Sequence, residues 1–237
     1  MQTAATPSVP AVCWSCGKPL ESSTSYCAEC GKVQPASAVH DYFAVFGLPR
    51  KLAIDTSALE RSFYKLSRKL HPDLYARASA GEQQWSLDQT SLLNDAYRTL
   101  RNPVSRTEYL LKLEGKPVAS EEQAPQGDKP KDSRAPADML EEVFELNMQL
   151  EEMRMNRKMG EDDPSLRGDL EKARTQFEGQ LADLDEELKT HWQQWDAAVD
   201  AGATERTEQV KDKMFALLDR RRYIRNLVRD VNDALGA

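Results

Sequence analysis

Apolar residues recur at helical spacing along most of this chain. Between residues 56 and 70, Leu59, Phe63, Leu66 and Leu70 fall at i, i+4, i+7 and i+11, which is one face of a helix. Asp55 and Thr56 supply a start for it, and Pro72 a stop, because proline pushes the residue before it out of the α region. A short helix precedes it, opened by Asp41 and closed by Gly47, Leu48 and Pro49. After a polar loop containing Gly81, a third helix is predicted over 82–101, with Leu92, Leu93, Ala96, Tyr97 and Leu100 as its inner face. Asn102-Pro103 closes it, and a fourth short helix over 105–113 carries Tyr109, Leu110 and Leu113.

The pattern lapses over 115–136, where Pro117, Pro125, Pro130 and Pro136 recur among charged and small residues, so this stretch reads as a linker. It resumes over 137–237 as three long helices. In the first, about 138–159, Met139, Val143, Leu146, Leu150 and Met153 share one face. Leu140, Phe144, Met148, Met155 and Met159 lie roughly opposite, a second apolar stripe that a surface helix does not need for its own packing. It is either covered by another part of the chain or offered to a partner, and methionine suits adaptable binding. The second helix, about 165–201, carries Leu170, Phe177, Leu181, Leu184, Leu188, Trp192, Trp195 and Val199 near heptad spacing. The third, about 204–235, carries Val210, Met214, Leu217, Ile224, Val228, Val231 and Leu235. The predicted fold is all-α, ending in a three-helix, partly coiled-coil-like bundle.

Charge separates these regions. Residues 41–115 hold 11 basic and 9 acidic side chains, whereas 116–237 hold 19 basic and 28 acidic, so the net charge of -7 sits in the C-terminal half. That balance argues against a nucleic-acid binder built on phosphate contacts. No apolar run approaches the length of a membrane span, and the N-terminus shows neither a transit nor a secretory pattern. Cytoplasm is therefore expected ahead of the mitochondrial matrix. The three histidines, His40, His71 and His191, are scattered, with no nucleophile–base pair or phosphate loop nearby. His40, before a helix start, and His191, beside Trp192, read as structural. No enzyme is predicted.

All four cysteines lie near the N-terminus: Cys13, Cys16, Cys27 and Cys30, spaced C-x2-C-x10-C-x2-C. The pattern repeats internally as Cys-Trp-Ser-Cys-Gly-Lys and Cys-Ala-Glu-Cys-Gly-Lys. Two thiols three residues apart on a tight turn supply half a tetrahedral site, and Gly17 and Gly31 let the chain turn so that backbone N–H groups reach the sulfurs. One structural zinc per chain is expected. Two disulfides, which need an oxidising compartment, and a rubredoxin-like iron site are the alternatives. Residues 1–36 have almost no core, so the metal must supply their folding energy.

His71-Pro72-Asp73 follows a helix whose outer side bears Arg61, Lys65, Arg68 and Lys69. A charged stripe alone is usually a solvated face. Beside this tripeptide, between two antiparallel helices, it offers an acidic partner a docking surface.

Short helix, basic helix, His-Pro-Asp loop and helix together resemble the J-domain of the DnaJ/Hsp40 co-chaperones. The sequence is more similar still to the HscB/Hsc20 branch, the co-chaperones of iron–sulfur cluster assembly. The residues that carry this are Asp41-Tyr42-Phe43, the run Asn94-Asp95-Ala96-Tyr97-Arg98-Thr99-Leu100, Pro103 with Arg106, and Glu108-Tyr109-Leu110-Leu111. Cys13 to Cys30 resembles the N-terminal metal site of eukaryotic members. The resemblance implies a zinc segment over 1–36, a J-domain over 40–114, a linker over 115–136 and a scaffold-binding bundle over 137–237. It further implies a co-chaperone that binds an IscU-type iron–sulfur scaffold protein and presents it to a dedicated HscA-type Hsp70. The J-domain would stimulate ATP hydrolysis by that Hsp70, with His71, Pro72 and Asp73 as the activating loop and Arg61, Lys65, Arg68 and Lys69 as the docking face. The scaffold contacts implied are Leu140, Phe144, Glu145, Met148, at a position where the family often has an acid, and Tyr223. A J-domain protein serving another client, with the zinc segment as its grip, is the alternative. A zinc-ribbon nucleic-acid binder stands behind both, since no basic patch accompanies the cysteines.

Overall fold

The computed structural model describes residues 12–20, 24–36, 41–116, 118 and 136–236. His40 and most of the 115–136 linker lie outside the described residues. The chain divides into two compact units, 1–106 and 107–237.

The first unit is built on a helical hairpin. α1 (Tyr42–Val45) is capped by Asp41, whose carboxylate accepts the Phe43 N–H at 3.0 Å. α2 (Thr56–Leu70) is capped by Asp55, which accepts from Ser57 and Ala58. A 3-10 turn over Pro72–Tyr75 leads to α3 (Ala80–Arg101). α3 starts two residues before the predicted position. Ser79 and Glu82 form a reciprocal capping box, which draws Gly81 into the helix instead of leaving it in a loop. Leu70, Tyr75 and Leu93 are buried together, with Phe63, Leu66 and Trp85 packed around them. Phe63 stacks on Tyr97 at 4.2 Å and so ties α2 to α3. α4 (Pro103–Leu113), which runs from the first unit into the second, also starts two residues early, because Pro103 fits a first helical position and the Asn102 side chain accepts from Val104 and Ser105.

The second unit contains α5 (Leu140–Met159), α6 (Pro164–Asp200) and α7 (Thr204–Leu235). The predicted bundle-facing stripe of α5 is buried against Leu170, Phe177 and Leu184 of α6 and Ile224, Leu227 and Val231 of α7. Polar ties flank this core: Gln176 donates to Glu142 at 2.6 Å, and Arg221 pairs with Asp185 at 2.6 Å. One expected core position differs. Val199 is 37% exposed, and Ala198 is buried in its place. Beyond Trp192 and Trp195 the helix has drifted far enough from a strict heptad that the inward position falls one residue earlier. Among the described residues, no helix is long and apolar enough to cross a membrane.

Candidate functional site

The cysteine segment folds as two matching knuckles. Val12 bridges to Pro19, and Tyr26 to Val33, each antiparallel. The Cys13 N–H donates to the Lys18 carbonyl at 2.8 Å and the Cys27 N–H to that of Lys32 at 2.9 Å, so the internal sequence repeat is also a structural one. Gly17 and Gly31 take φ of 68° and 72°, the left-handed region a tight turn needs here. Their N–H groups donate to the Cys13 and Cys27 carbonyls rather than to sulfur. The Ser15 N–H and the Gln34 side-chain amide reach Cys13 Sγ, each at 3.4 Å, and the Cys16 backbone also bonds it.

The four Sγ atoms all lie within 4.8 Å of one another. Cys13 and Cys30 are 3.6 Å apart, and Cys16 and Cys27 are 3.7 Å apart. Four sulfurs around a tetrahedral ion with ~2.3 Å bonds would be spaced by about 3.8 Å, so these residues fit a metal. All four are free cysteines, so the disulfide alternative is not what the fold displays. Burial pushes the Cys13 thiol up, but hydrogen bonds from the Cys16 and Ser15 backbone and from neighbouring thiols outweigh it and bring it down to about 6. The Lys18 backbone lowers Cys16, yet burial and the thiols of Cys13, Cys30 and Cys27 push it up to about 12. Thiols this close cannot all ionise without a cation between them.

This segment is packed on α3. Val33 and Gln34 are buried. The Gln89 side chain donates to the Gln34 carbonyl at 3.1 Å. Trp14 donates to the Val33 carbonyl at 2.7 Å and meets the Trp85 ring at 5.4 Å. Lys32 pairs with the buried Glu82 at 2.6 Å. That bond, with help from Ser79, holds the Glu82 carboxyl below its usual range and raises Lys32 above its own. Sequence reasoning missed these residues. Glu82, Ser86 and Gln89 continue the buried face of α3 toward its start, but they are polar and read as solvated. Their spacing of four and three residues was the available signal.

The His71-Pro72-Asp73 loop sits at the exposed end of the hairpin. His71 Nδ1 accepts the Asp73 N–H at 3.3 Å and lies 3.5 Å from the Asp73 carboxylate, with both side chains more than half exposed. The next residue, Leu74, is 65% exposed and was not anticipated. Below the loop, the Leu70 carbonyl accepts from Ser86 at 2.6 Å and from Thr90 at 3.1 Å. Arg61, Lys65, Arg68 and Lys69 are all exposed, as the helical spacing predicts. Arg61 lies 3.9 Å from Asp55, a distance at which an exposed pair contributes little. Lys69 is engaged: it donates to the Tyr26 hydroxyl at 2.9 Å and lies 4.1 Å from that ring's centre.

On α5, Leu140, Phe144, Met148, Met155 and Met159 are each between 57% and 68% exposed. The stripe is interrupted where Glu151 pairs with Arg154 at 2.5 Å, which leaves two patches. Glu145 is exposed beside the first. Tyr223 is half-buried against the bundle core and lines a groove of about 700 Å³ with Pro136 and Arg220. Arg220 pairs with Asp138 at 2.8 Å, so Tyr223, one turn along α7, is brought to the same end of α5 as Leu140. His191 is buried, with Gln194 at 3.2 Å, as a structural histidine should be.

Residues 41–109 match the DnaJ domain family. With the His-Pro-Asp loop between α2 and α3, this makes the chain a J-domain protein. The mouse iron–sulfur cluster co-chaperone protein HscB is 32% identical over 167 residues, which is 69% of this chain and 68% of the mouse protein. The crystal structure of human co-chaperone protein HscB has the same fold, with a TM-score of 0.60 at 24% identity, covering 94% of this chain and 97% of the human one. The chain belongs to the HscB family of iron–sulfur cluster co-chaperones.

Proposed function

We propose that the chain binds an IscU-type scaffold protein on the first apolar patch of α5 and delivers it to an HscA-type Hsp70. The His71-Pro72-Asp73 loop stimulates ATP hydrolysis by that Hsp70, which promotes cluster transfer, and the chain performs no chemistry itself. One observation carries this reading. A J-domain with an exposed His-Pro-Asp loop shares a chain with a helix that leaves Leu140, Phe144 and Met148 exposed while its other face is fully used by the bundle. Acidic Glu141 and Glu145 border that patch and favour a partner with a basic rim around an apolar centre. The alternative, in which the cysteine segment grips another client, is disfavoured because Val33 and Gln34 are already buried on the hairpin.

The test is single-turnover ATP hydrolysis by the Hsp70 with this chain, with an IscU-type scaffold, and with both. The chain alone should stimulate, and adding the scaffold should raise the rate by about fivefold or more beyond the product of the separate effects. Independence of the two would remove the delivery role.

The four-cysteine site suits zinc, whose contribution when bound is to cross-link the two knuckles. Elemental analysis of freshly purified protein should find close to one zinc per chain, held by Cys13, Cys16, Cys27 and Cys30. Chelation should change the tryptophan fluorescence, since Trp14 lies against Trp85, while far-ultraviolet circular dichroism stays nearly constant because the described residues of the knuckles contain no helix. Iron in place of zinc, or oxidised thiols, would overturn the assignment.

A further inference from the structure

The His71-Pro72-Asp73 loop has a floor, and part of that floor comes from the cysteine segment. The loop is entered from Leu70 and left through Tyr75, and both are buried in one apolar cluster with Val33 and Leu93. Val33 is fully buried and belongs to the second knuckle, where it bridges to Tyr26. Tyr26 holds the Lys69 ammonium, two residues before His71. The Tyr75 hydroxyl, from the other side of the loop, donates to the Lys69 carbonyl at 3.1 Å. The second knuckle therefore holds Lys69 through Tyr26 and, through Val33, shares the apolar cluster that buries Leu70 and Tyr75 on the two sides of the tripeptide.

The loop needs such support. Its turn is four residues of 3-10 helix, held by the Leu74 N–H on the His71 carbonyl at 3.0 Å and the Ala76 N–H on the Asp73 carbonyl at 3.4 Å. A single turn of this kind has little stability of its own. Ser86 and Thr90 fix only the entering strand of chain, through the Leu70 carbonyl. The leaving side is held by the Gln83 side chain, which donates to the Ala76 and Ala78 carbonyls, and by the packing of Tyr75 in the same cluster as Val33.

We infer that Val33 and Tyr26 are positioning residues for the His71-Pro72-Asp73 loop, so that metal binding by the four cysteines sets how rigidly the loop is presented. The proposal rests on the reading of that loop as the Hsp70-activating element. Cys27 and Cys30 belong to the same knuckle, closed by the Cys27 N–H on the Lys32 carbonyl and the Gly31 N–H on the Cys27 carbonyl. Without the metal this segment has almost no core of its own, so the seating of Val33 in the hairpin cluster is held by fewer constraints. A loosened loop must be ordered at the moment of docking, which weakens binding while leaving the chemistry of His71 and Asp73 intact. The effect should therefore fall on the concentration of co-chaperone needed for half-maximal ATPase stimulation and not on the plateau.

The experiment compares the full chain with Val33→Ala, Tyr26→Leu, the exposed-site control Val12→Ala, and the wild-type chain treated with EDTA. Amide hydrogen exchange at Leu74 and Ala76 reads the loop directly. Val33→Ala and chelation should each speed exchange there by about tenfold. Tyr26→Leu should have a smaller effect, and Val12→Ala none. The half-maximal concentration should rise by about five- to tenfold with the plateau retained. The proposal is overturned if Leu74 and Ala76 exchange at the wild-type rate in the chelated chain while amides 27–33 are accelerated. Chelation needs no folded variant, so a Val33→Ala chain that fails to fold does not remove the test. If the loop amides accelerate but even the wild-type chain leaves the Hsp70 ATPase unchanged, positioning stands and the Hsp70 reading falls.

Discussion

His71→Gln is expected to remove most of the chain's stimulation of Hsp70 ATP hydrolysis and to leave its fold unchanged. The imidazole is 54% exposed and packs in no core. Its side chain accepts the long Nδ1 bond from the Asp73 N–H and lies near the Asp73 carboxylate. A glutamine side-chain oxygen can accept the same N–H, so the stability change should stay within about 0.5 kcal/mol. The loss of stimulation should be at least about tenfold and should appear in the plateau, because His71 belongs to the loop proposed to trigger hydrolysis once docked, and a contact made only in the activated state acts on the maximal rate. This contrasts with the concentration shift expected of Val33→Ala. Undiminished stimulation at saturating co-chaperone, with a melting temperature unchanged, would separate this loop from ATPase activation altogether.

The hairpin was legible because its amphipathic helices carry capping residues at their starts, and the bundle because its helices are amphipathic. Asp41 and Asp55 act as caps, and the α5 stripe from Met139 to Met153 is buried as its 3.6-residue period requires. The opposite stripe was legible for the same reason, and among the described residues it is exposed. The boundaries missed, at Ala80 and Pro103, were set by side chains that reach back to the backbone, Ser79 with Glu82 and Asn102 with Ser105. Local hydrogen bonding of that kind leaves no periodic trace.

The four cysteines were legible from spacing alone, but their place in the molecule was not. Docking of the knuckles depends on Lys32 with Glu82, Gln34 with Gln89, and Trp14 with Trp85, pairs separated by 50 residues or more. Each partner looks surface-like in its own stretch of sequence, and burial becomes acceptable only once the pair is made. Lys69 shows the same limit. It belongs to the basic face by helical spacing, yet its ammonium is held by an aromatic ring from another segment.

Changing Leu140 and Phe144 together to Ala should weaken binding of an IscU-type scaffold by about 2–4 kcal/mol, or roughly 30- to 1,000-fold in Kd. Both side chains are more than half exposed, so they contribute little to the folded monomer and are free to be buried by a partner. The core face of the same helix, with Val143, Leu146 and Leu150, is untouched. Alanine is a better helix former than either residue, so the melting temperature should hold or rise slightly. Tyr223 is a poorer site for this test. It packs against the bundle core and lines the groove beside Arg220, so Tyr223→Ala would lower stability and affinity together. Met155→Ala with Met159→Ala probes the second patch, beyond the Glu151–Arg154 pair, and should cost less if the scaffold is held mainly at Leu140 and Phe144. Scaffold affinity and thermal stability must be measured on the same double variant. A large fall in melting temperature with unchanged affinity would mean that Leu140 and Phe144 serve the chain's own packing. The scaffold would then have to bind elsewhere, and the assignment of this face would be wrong.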